Sequence, residues 1–264
     1  MLSMNKKQMA IIKKDLKGII FDKQQFPVLL IVPAVFTLVL PTIFILLIHF
    51  GQDSMTDMQD LLNQLSLGTQ ETIDPMFMIK AILDYVMPIF FLLIPIMSAM
   101  VMAASSFVGE KENRTLETLL YSPLTIRMIF QAKILASFLL SMIISLGSFI
   151  VMLIVIELET FFLIGSFYVP GLSWLVNLLL LSPAISGIAI TLIVRGSAKA
   201  QTAQESQQRA VFLILPIILL VAGQFSGIVL VGPLLLLGLG VVLAAVAVFL
   251  MRGSIQKFSY EQLL

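Results

Sequence analysis

Residues 109–120 decide how this chain folds; they read Gly-Glu-Lys-Glu-Asn-Arg-Thr-Leu-Glu-Thr-Leu-Leu. This dense, mixed-charge stretch separates two long apolar runs, one ending near Phe107 and the next beginning near Ile129. Charged side chains are costly in hydrocarbon, and lipid-exposed irregular backbone does not occur there. The stretch therefore predicts a polar segment at a membrane surface, between two membrane-spanning helices.

The composition is that of an integral membrane protein. Of the 264 residues, 59% are hydrophobic and 12% are charged, whereas soluble domains have about 45–50% and about 25%. The chain has no cysteine, which excludes a disulfide framework and a thiolate metal site.

The apolar segments predict an all-α membrane protein with six transmembrane helices in one domain, because a helix needs about 20 residues to cross a bilayer. The spans are placed at 27–49, 81–107, 129–156, 171–194, 210–226 and 230–251. The last two share one apolar stretch, so a short re-entrant-like hairpin is expected between them. The polar parts are an interface helix at 1–26, an external loop at 50–80, loops at 108–128 and 195–209, and a tail at 252–264.

The interface helix is predicted from a basic, amphipathic pattern. Met9, Ile12, Leu16, Ile19 and Ile20 recur at helical spacing, and the lysines fall mostly off that face. Such a helix lies in the membrane interface. The alternative is a simple positive flank that sets topology.

Basic residues are strongly biased to one side of the predicted spans. Six Lys and Arg precede Pro27, four lie between Phe107 and Lys133, three between Arg195 and Arg209, and two in the tail, so 15 of 16 share a side. The positive-inside rule places that side in the cytoplasm, together with both termini.

Several chemistries find no support in the sequence. There is no GxxxxGK[ST] phosphate loop, no HExxH pair and no GxSxG elbow, and the one histidine is His49. No catalytic residue, metal site or nucleic-acid interface is predicted. Ion-coupled carriers need ionisable groups or broken helices at mid-membrane, and the apolar cores hold almost no ionisable residues. A scaffold without an energy source of its own suggests a partner.

Residues 107–125 resemble the signature of type-2 ATP-binding-cassette (ABC) permeases, Gly-Glu-(Lys/Arg)-Glu-x-x-Thr-(Leu/Met)-Glu-x-Leu-Leu-x-(Ser/Thr)-Pro after the second span. Lys133 fits the family's lysine at the start of the third span. The loop at 198–210 is similar to that of the sodium- and drug-exporting branch, but only about 30 residues replace its large external domain, which speaks against a sodium substrate. The matching residues are Gly109, Glu110, Lys111, Glu112, Thr115, Leu116, Glu117, Leu119, Leu120, Ser122 and Pro123.

The resemblance implies a non-catalytic membrane subunit in a bacterial plasma membrane, without a cofactor of its own. Two permeases, identical or not, would pair with two separate ATPase subunits that hold ATP and Mg. The interface helix and a cytoplasmic coupling helix between spans 2 and 3 would dock on those ATPases. The expected docking residues are Gly109, Glu110, Lys111, Glu112, Arg114, Thr115, Leu116, Glu117, Leu119 and Leu120.

The residues of the coupling helix support this interpretation independently. Glu110, Glu112 and Glu117 form an acidic rim, while three leucines, Leu116, Leu119 and Leu120, offer apolar anchors at spacings of three and four. A polar rim around apolar anchors suits a protein interface. The alternative is a solvated connecting loop.

Stripes of small polar residues run along the third and fourth spans. Such stripes mark close helix packing or line a cavity. A hydrophobic or amphipathic cargo (peptide, drug or lipid-like molecule) is expected, with a sodium exporter as an alternative, and an intramembrane enzyme or a non-transporting anchor for an ATPase as alternatives of another class. Candidate positions for a translocation pathway are Ser137, Ser141, Ser145, Ser182, Ser186 and Gln224.

Overall fold

The computed structural model describes residues 6–50, 75–115, 124–197, 200–225 and 232–257. Within these ranges it is built of helices and contains no β-strand. Six of its helices are long and apolar enough to cross a membrane, which confirms the predicted all-α, six-span class. The helices are α1 Lys6–Phe21, α2 Gln25–Phe50, α3 Met76–Glu112, α4 Ile126–Ile164, α5 Leu172–Gly196, α6 Ala203–Gln224 and α7 Pro233–Lys257.

Several predicted features lie partly outside the described residues, among them the first five residues of the interface helix, residues 198–199 of the loop at 195–209 and the tail from residue 258. Three further gaps fall on features that matter for function. They are the external loop from residue 51 to 74, the part of the coupling helix from residue 116 to 123, and the turn of the hairpin between the last two spans, at 226–231.

The centre of the bundle is formed by α3 and α5. In their apolar stretches 83% and 72% of the residues are buried, against 17–33% in the other four spanning helices. Those four expose large apolar side chains, among them Leu30 of α2, Phe162 of α4, Phe212 of α6 and Phe249 of α7. Because lipid is as apolar as these side chains, they are suited to a bilayer rather than to water.

The two ends of the bundle differ in charge. At the basic end, α3 finishes, α4 begins and α1 lies alongside. At the acidic end, α3 begins and the connection between α4 and α5 carries Tyr168. With 39 residues, α4 is about 58 Å long at 1.5 Å per residue. It therefore extends beyond a hydrocarbon core of about 30 Å and also beyond the predicted span at 129–156.

The central helix α3 is not regular. It contains π-helical turns at Ile82–Val86 and Ser105–Gly109, and a break at Leu92, whose N–H bonds to Ile89 O at 3.2 Å. This tighter bond leaves the Pro88 carbonyl without its usual helical donor, and the side-chain amide of Asn177 donates to it instead. A buried amide on α5 thus satisfies the irregular backbone of α3.

Helix α1, which the sequence predicts to lie in the membrane interface, packs on α4 with a face slightly different from the predicted one. Ile12 and Ile19 are buried as expected, together with Ile11, and they contact an apolar cluster that includes Ile129. Met9 and Ile20 are half exposed; they lie beside the stripe rather than within it.

Candidate functional site

The last turns of α3 form the start of the motif. The π-helical turn at Ser105–Gly109 leads directly into Glu110–Glu112. The helix then ends in a Schellman arrangement, in which Thr115 N donates to Glu110 O at 2.9 Å and Arg114 N donates to Lys111 O at 3.1 Å. Arg114 is in the left-handed region with φ of 57°, a conformation that usually favours glycine. The first residues of the motif thus continue the most buried helix of the bundle.

Lys133 lies where three helices meet. Its Nζ is 2.8 Å from Glu110 Oε2 on α3 and 3.8 Å from Asp15 Oδ2 on α1. The ammonium also donates to the carbonyl of Ser106 and to Ser106 Oγ at 3.3 Å. It lies 5.6 Å from the ring centroid of Phe107, a cation–π distance. A single buried ammonium therefore contacts both α1 and the end of α3.

Two further contacts complete this cluster. Lys14 Nζ donates to Glu110 Oε1 at 2.7 Å, and Ser106 Oγ donates to Asp15 Oδ2 at 2.6 Å. The side chains of Lys133, Asp15 and Glu110 are only 3%, 6% and 9% exposed, whereas that of Lys14 is 58% exposed. Two ammonium groups balance two carboxylates, which is the condition under which buried charges are tolerated. We call Lys14, Asp15, Ser106, Glu110 and Lys133 the charge cluster.

The titration of the two α1 residues reflects their surroundings. Burial raises the pKa of the Asp15 carboxyl above its ordinary value, although the Lys133 ammonium and the Ser106 hydroxyl counteract it. Burial acts against the charge of Lys14, but the hydrogen bond and the charge of Glu110 raise its pKa overall. Both shifts follow from α1 being held against the end of α3.

Glu112 makes a separate contact, to the start of α6. Its Oε2 accepts from Ala203 N at 3.0 Å, in the first turn of α6. Thr202 caps the same turn by accepting from Glu205 N at 3.1 Å, and Glu205 Oε2 accepts from Gln201 N at 2.8 Å. A carboxylate at a helix N-terminus is favourable for both hydrogen bonding and the helix dipole. The end of α3 is therefore attached to α6 as well as to α1 and α4.

The predicted docking residues are distributed over several environments. Gly109 and Glu110 are buried, Lys111 is half-buried, and Glu112, Arg114 and Thr115 are exposed. The other four, Leu116, Glu117, Leu119 and Leu120, lie outside the described residues. The carboxylate of Glu110 is occupied by Lys14 and Lys133 of its own chain. Docking of an ATPase on this segment stays a prediction.

The predicted pathway residues are buried between helices. Ser141 Oγ lies 2.8 Å from Ser186 Oγ and donates to Pro95 O at 2.9 Å, joining α4, α5 and α3. Ser137 donates to Lys133 O at 3.0 Å.

The remaining pathway residues are also enclosed. Ser182 Oγ donates to Asn177 Oδ1 at 3.2 Å, Ser145 is 1% exposed, and Gln224 Nε2 donates to Tyr85 O at 3.0 Å. Within one chain these contacts agree with the helix-packing interpretation, and the pathway role stays a prediction.

A second polar cluster closes the acidic end. Asp84 Oδ1 accepts from Tyr168 Oη at 2.7 Å and from Gly171 N at 2.8 Å. Trp174 Nε1 donates to Leu83 O and to Tyr168 Oη, both at 3.0 Å. Burial and the neighbouring Asp84 carboxylate raise the pKa of Tyr168, so its hydroxyl remains a donor over the working pH range.

Sequence reasoning did not single out Asp15 or Ser106. A signal for Asp15 was present, because it lies midway between Ile11 and Ile19 at spacings of four, on the stripe that is buried. An acid on the apolar stripe of a basic helix requires a partner. Ser106 carried no comparable signal, since its role depends on a π-helical turn.

The family described as ABC-2 family transporter protein matches residues 9–251 of the chain. The chain belongs to this family. No curated protein sequence matches it significantly. The ABC-2 chain is thus a multi-pass membrane component of an ABC transporter, a class of subunit that is generally non-catalytic. Membership of the sodium- and drug-exporting branch stays a prediction.

Proposed function

We propose that this ABC-2 chain is the permease subunit of an ATP-driven exporter in a bacterial plasma membrane, with both termini in the cytoplasm. Two permeases, identical or different, pair with two separate ATPase subunits. The segment that begins at Gly109 docks on an ATPase, and the closing of the ATPase pair switches a pathway between the two permeases.

The observation that carries this proposal is the continuity of the motif with α3. Gly109–Glu112 are the final turns of a helix that is largely buried at the centre of the bundle. A displacement of the docking segment therefore acts on the middle of the bundle, not on a peripheral loop. The sequence offers no phosphate loop on this chain, which supports a separate ATPase as the source of that displacement.

The packing of a single chain favours a pathway between two chains. The serines of the polar stripes on α4 and α5 are occupied by contacts with each other and with α3, such as those of Ser141 with Ser186 and Pro95. Large apolar side chains are instead presented outward by α2, α6 and α7. A pathway bordered by such surfaces suits a hydrophobic or amphipathic cargo better than sodium, which needs several oxygen ligands.

Co-purification tests the docking role. The tagged permease is expressed with the ABC ATPase from a neighbouring coding sequence, and the bound ATPase is quantified. Glu117→Lys with Leu120→Asp is expected to reduce the bound ATPase by about tenfold, because loss of an interface anchor costs about 1–2 kcal/mol. The matched control is Lys80→Glu, a charge reversal at the acidic end. Equal ATPase recovery from both variants would contradict the proposal.

Transport is tested in reconstituted vesicles that contain the complex. Uptake of a hydrophobic dye, a cationic amphipathic peptide and sodium is measured with and without ATP. ATP-dependent movement of dye or peptide supports the exporter, and movement of sodium alone would favour the alternative substrate. ATP hydrolysis without movement of any probe would favour a non-transporting anchor.

The enzyme alternative has a specific counter-observation. A hydrolase could use a serine nucleophile with a lysine base, and in the charge cluster Ser106 and Lys133 would have to supply them. Lys133, however, donates to Ser106 O and pairs with Glu110 and Asp15. A lysine held as a donor by carboxylates is a poor general base. Ser106 Oγ moreover donates to Asp15 in a buried position.

A further inference from the structure

Polar side chains link α1 to the last turns of α3. The apolar face of α1 belongs to a cluster with Ile129 of α4 and, further back along α3, Val101 and Met102. At Ser106 and Glu110, Lys14 and Asp15 of α1 make the hydrogen bonds and ion pair to α3. A cavity of about 330 Å³ lies beside these contacts. Its lining includes Gly18, Ile19, Met102, Ser105, Gly109 and Asn113.

The cavity means that close packing does not fix the end of α3 on this side. Where interiors are close-packed, neighbouring atoms hold a helix in place without specific bonds. Here Gly18 and Gly109 border open space: among the described residues, and apart from the chain neighbours and helix backbone of each glycine, only Ser105 Oγ lies within 4 Å of a Cβ built on either one. The register of the two elements therefore depends on the ion pairs and hydrogen bonds across the gap.

Lys133 contacts three of the four other members of the charge cluster. From α4 it reaches Asp15 on α1 and Glu110 and Ser106 on α3. Buried ion pairs contribute little net stability compared with apolar packing, and their best-attested use is to specify a register. Ser106 belongs to a π-helical turn, a local irregularity that is frequent at functional sites.

From this geometry we infer that Lys133 is a positioning residue that clamps α1 to the end of α3, so that both move with the start of α4 as one body. The inference rests on the proposed function, since the docking segment follows directly after Glu112. In the transporter, the clamp makes the interface helix follow the displacement of the docking segment. Without it, α3 and α1 respond to the ATPase separately.

The test uses spin labels on the full chain, which has no native cysteine. Cysteines replace Lys13 on α1 and Asn113 at the end of α3, both of which are exposed. Labelled permease is diluted with unlabelled permease so that distances within one chain dominate. Pulsed electron paramagnetic resonance gives the label-to-label distance distribution for the isolated permease, and then for the ATPase complex without nucleotide and with ADP–vanadate.

The clamped chain is expected to give one narrow distribution that keeps its mean when ADP–vanadate is added. Lys133→Met should broaden it at least twofold, and Lys133→Arg should restore most of the narrow width because the guanidinium reaches the same acceptors. The matched control is Lys17→Met, which removes an exposed lysine from α1. A narrow distribution in Lys133→Met, or equal broadening in Lys17→Met, would overturn the inference.

A second variant guards against misfolding of Lys133→Met. Lys14 is largely exposed, so Lys14→Met removes one arm of the charge cluster while Asp15 and Glu110 both keep Lys133 as a partner. It is expected to broaden the distribution by a smaller amount, and an unchanged width would overturn the inference. The width of the distance distribution is already measured on the isolated permease, so a failure of the clamp is detected without the ATPase. A failure of the ATPase complex to assemble is a separate result, and it would contradict the proposed function alone.

Discussion

At Gly171 the absence of a Cβ atom allows the backbone to pack closely against Asp84 at the acidic end. A Cβ built on it would lie 2.8 Å from Asp84 Cγ and 2.9 Å from both carboxylate oxygens. We expect Gly171→Ala to lower the free energy of unfolding by about 1–3 kcal/mol, because the buried carboxylate must shift and weaken its hydrogen bonds. Thermal unfolding in detergent measures the effect.

The matched control is Gly147→Ala on the lipid-facing side of α4, where a Cβ would meet nothing within 4 Å. This change should raise stability by roughly 0.5–1 kcal/mol, because alanine favours a helix interior. Equal effects of the two substitutions would show that the Asp84 contact does not limit the packing at Gly171.

Asp15 makes stability depend on pH in a direction set by its burial. The pKa of Asp15 is raised in the folded chain. The stabilisation that Asp15 contributes to the folded chain is therefore complete at pH values below its pKa in the unfolded chain. It is lost as the pH rises through its pKa in the folded chain. Asp15→Asn lacks this titration. We therefore expect the stability of the native chain, relative to Asp15→Asn, to fall between the ordinary and the raised pKa of Asp15. Unfolding of both chains over a series of pH values between 4 and 8 (about 1 unit apart) measures it; a constant or rising difference would contradict the burial argument.

Individual residues of the charge cluster were only partly predictable from the sequence. The motif identified Glu110, and the resemblance identified Lys133, but nothing in either pattern pairs them with Asp15, which is 118 residues before Lys133. The partner of a buried charge depends on which helices become neighbours. Helix neighbourhood is a tertiary property that helical periodicity does not specify.

At the scale of elements, the start of α6 offers a test of local capping. Thr202 accepts from Glu205 N, and Glu112 covers the adjacent Ala203 N. Thr202→Ala is expected to cost about 1 kcal/mol and to speed hydrogen exchange in the first turn of α6. Thr125→Ala, at the N-cap of α4, is the control and should affect α4 alone. Uniform exchange changes in both helices would indicate a global loss of stability instead.

Substitutions at Arg114, in the turn after α3, distinguish a role of its backbone conformation from a role of its side chain in docking. Arg114 adopts φ of 57°, which glycine tolerates and β-branched residues do not. Arg114→Gly should keep the turn and stability within about 1 kcal/mol while removing the guanidinium. Arg114→Val should lower stability through strain. If ATPase recovery falls in Arg114→Gly with unchanged thermal stability, the guanidinium contributes to docking; unchanged recovery assigns Arg114 to the turn only.

Elements were more predictable than their irregularities. Apolar length located all six spanning helices, because every backbone group in lipid must be bonded within a helix. The serine spacing on the third span likewise pointed to a buried stripe, which packs against α3 and α5. The π-helical turns of α3 and its break at Leu92 have no comparable sequence signal, since they depend on outside donors such as Asn177 and Lys133.

For the whole molecule, the arrangement places a polar cluster at each end of an apolar bundle. The charge cluster fixes α1, α3 and α4 at the basic end, while Asp84 and Tyr168 fix α3 to the connection before α5 at the acidic end. Between them, small residues and serines let α3, α4 and α5 approach closely. A bundle tied at both ends and closely packed in the middle transmits a displacement along α3 rather than absorbing it.

Although α3 joins the two polar clusters, their separation predicts that each contributes to the free energy of unfolding independently of the other in the resting chain. Lys14→Met acts at the basic end and Tyr168→Phe at the acidic end, and within the described part of the chain the two sites have different hydrogen-bond partners, Glu110 and Asp84. Their unfolding free energies should add within about 0.5 kcal/mol, as is usual for distant sites. Unfolding of the two single variants and the double variant in detergent measures the sum. An interaction energy above about 1 kcal/mol would mean that loosening one end already alters the other, and that α3 couples the ends in the resting chain without any ATPase.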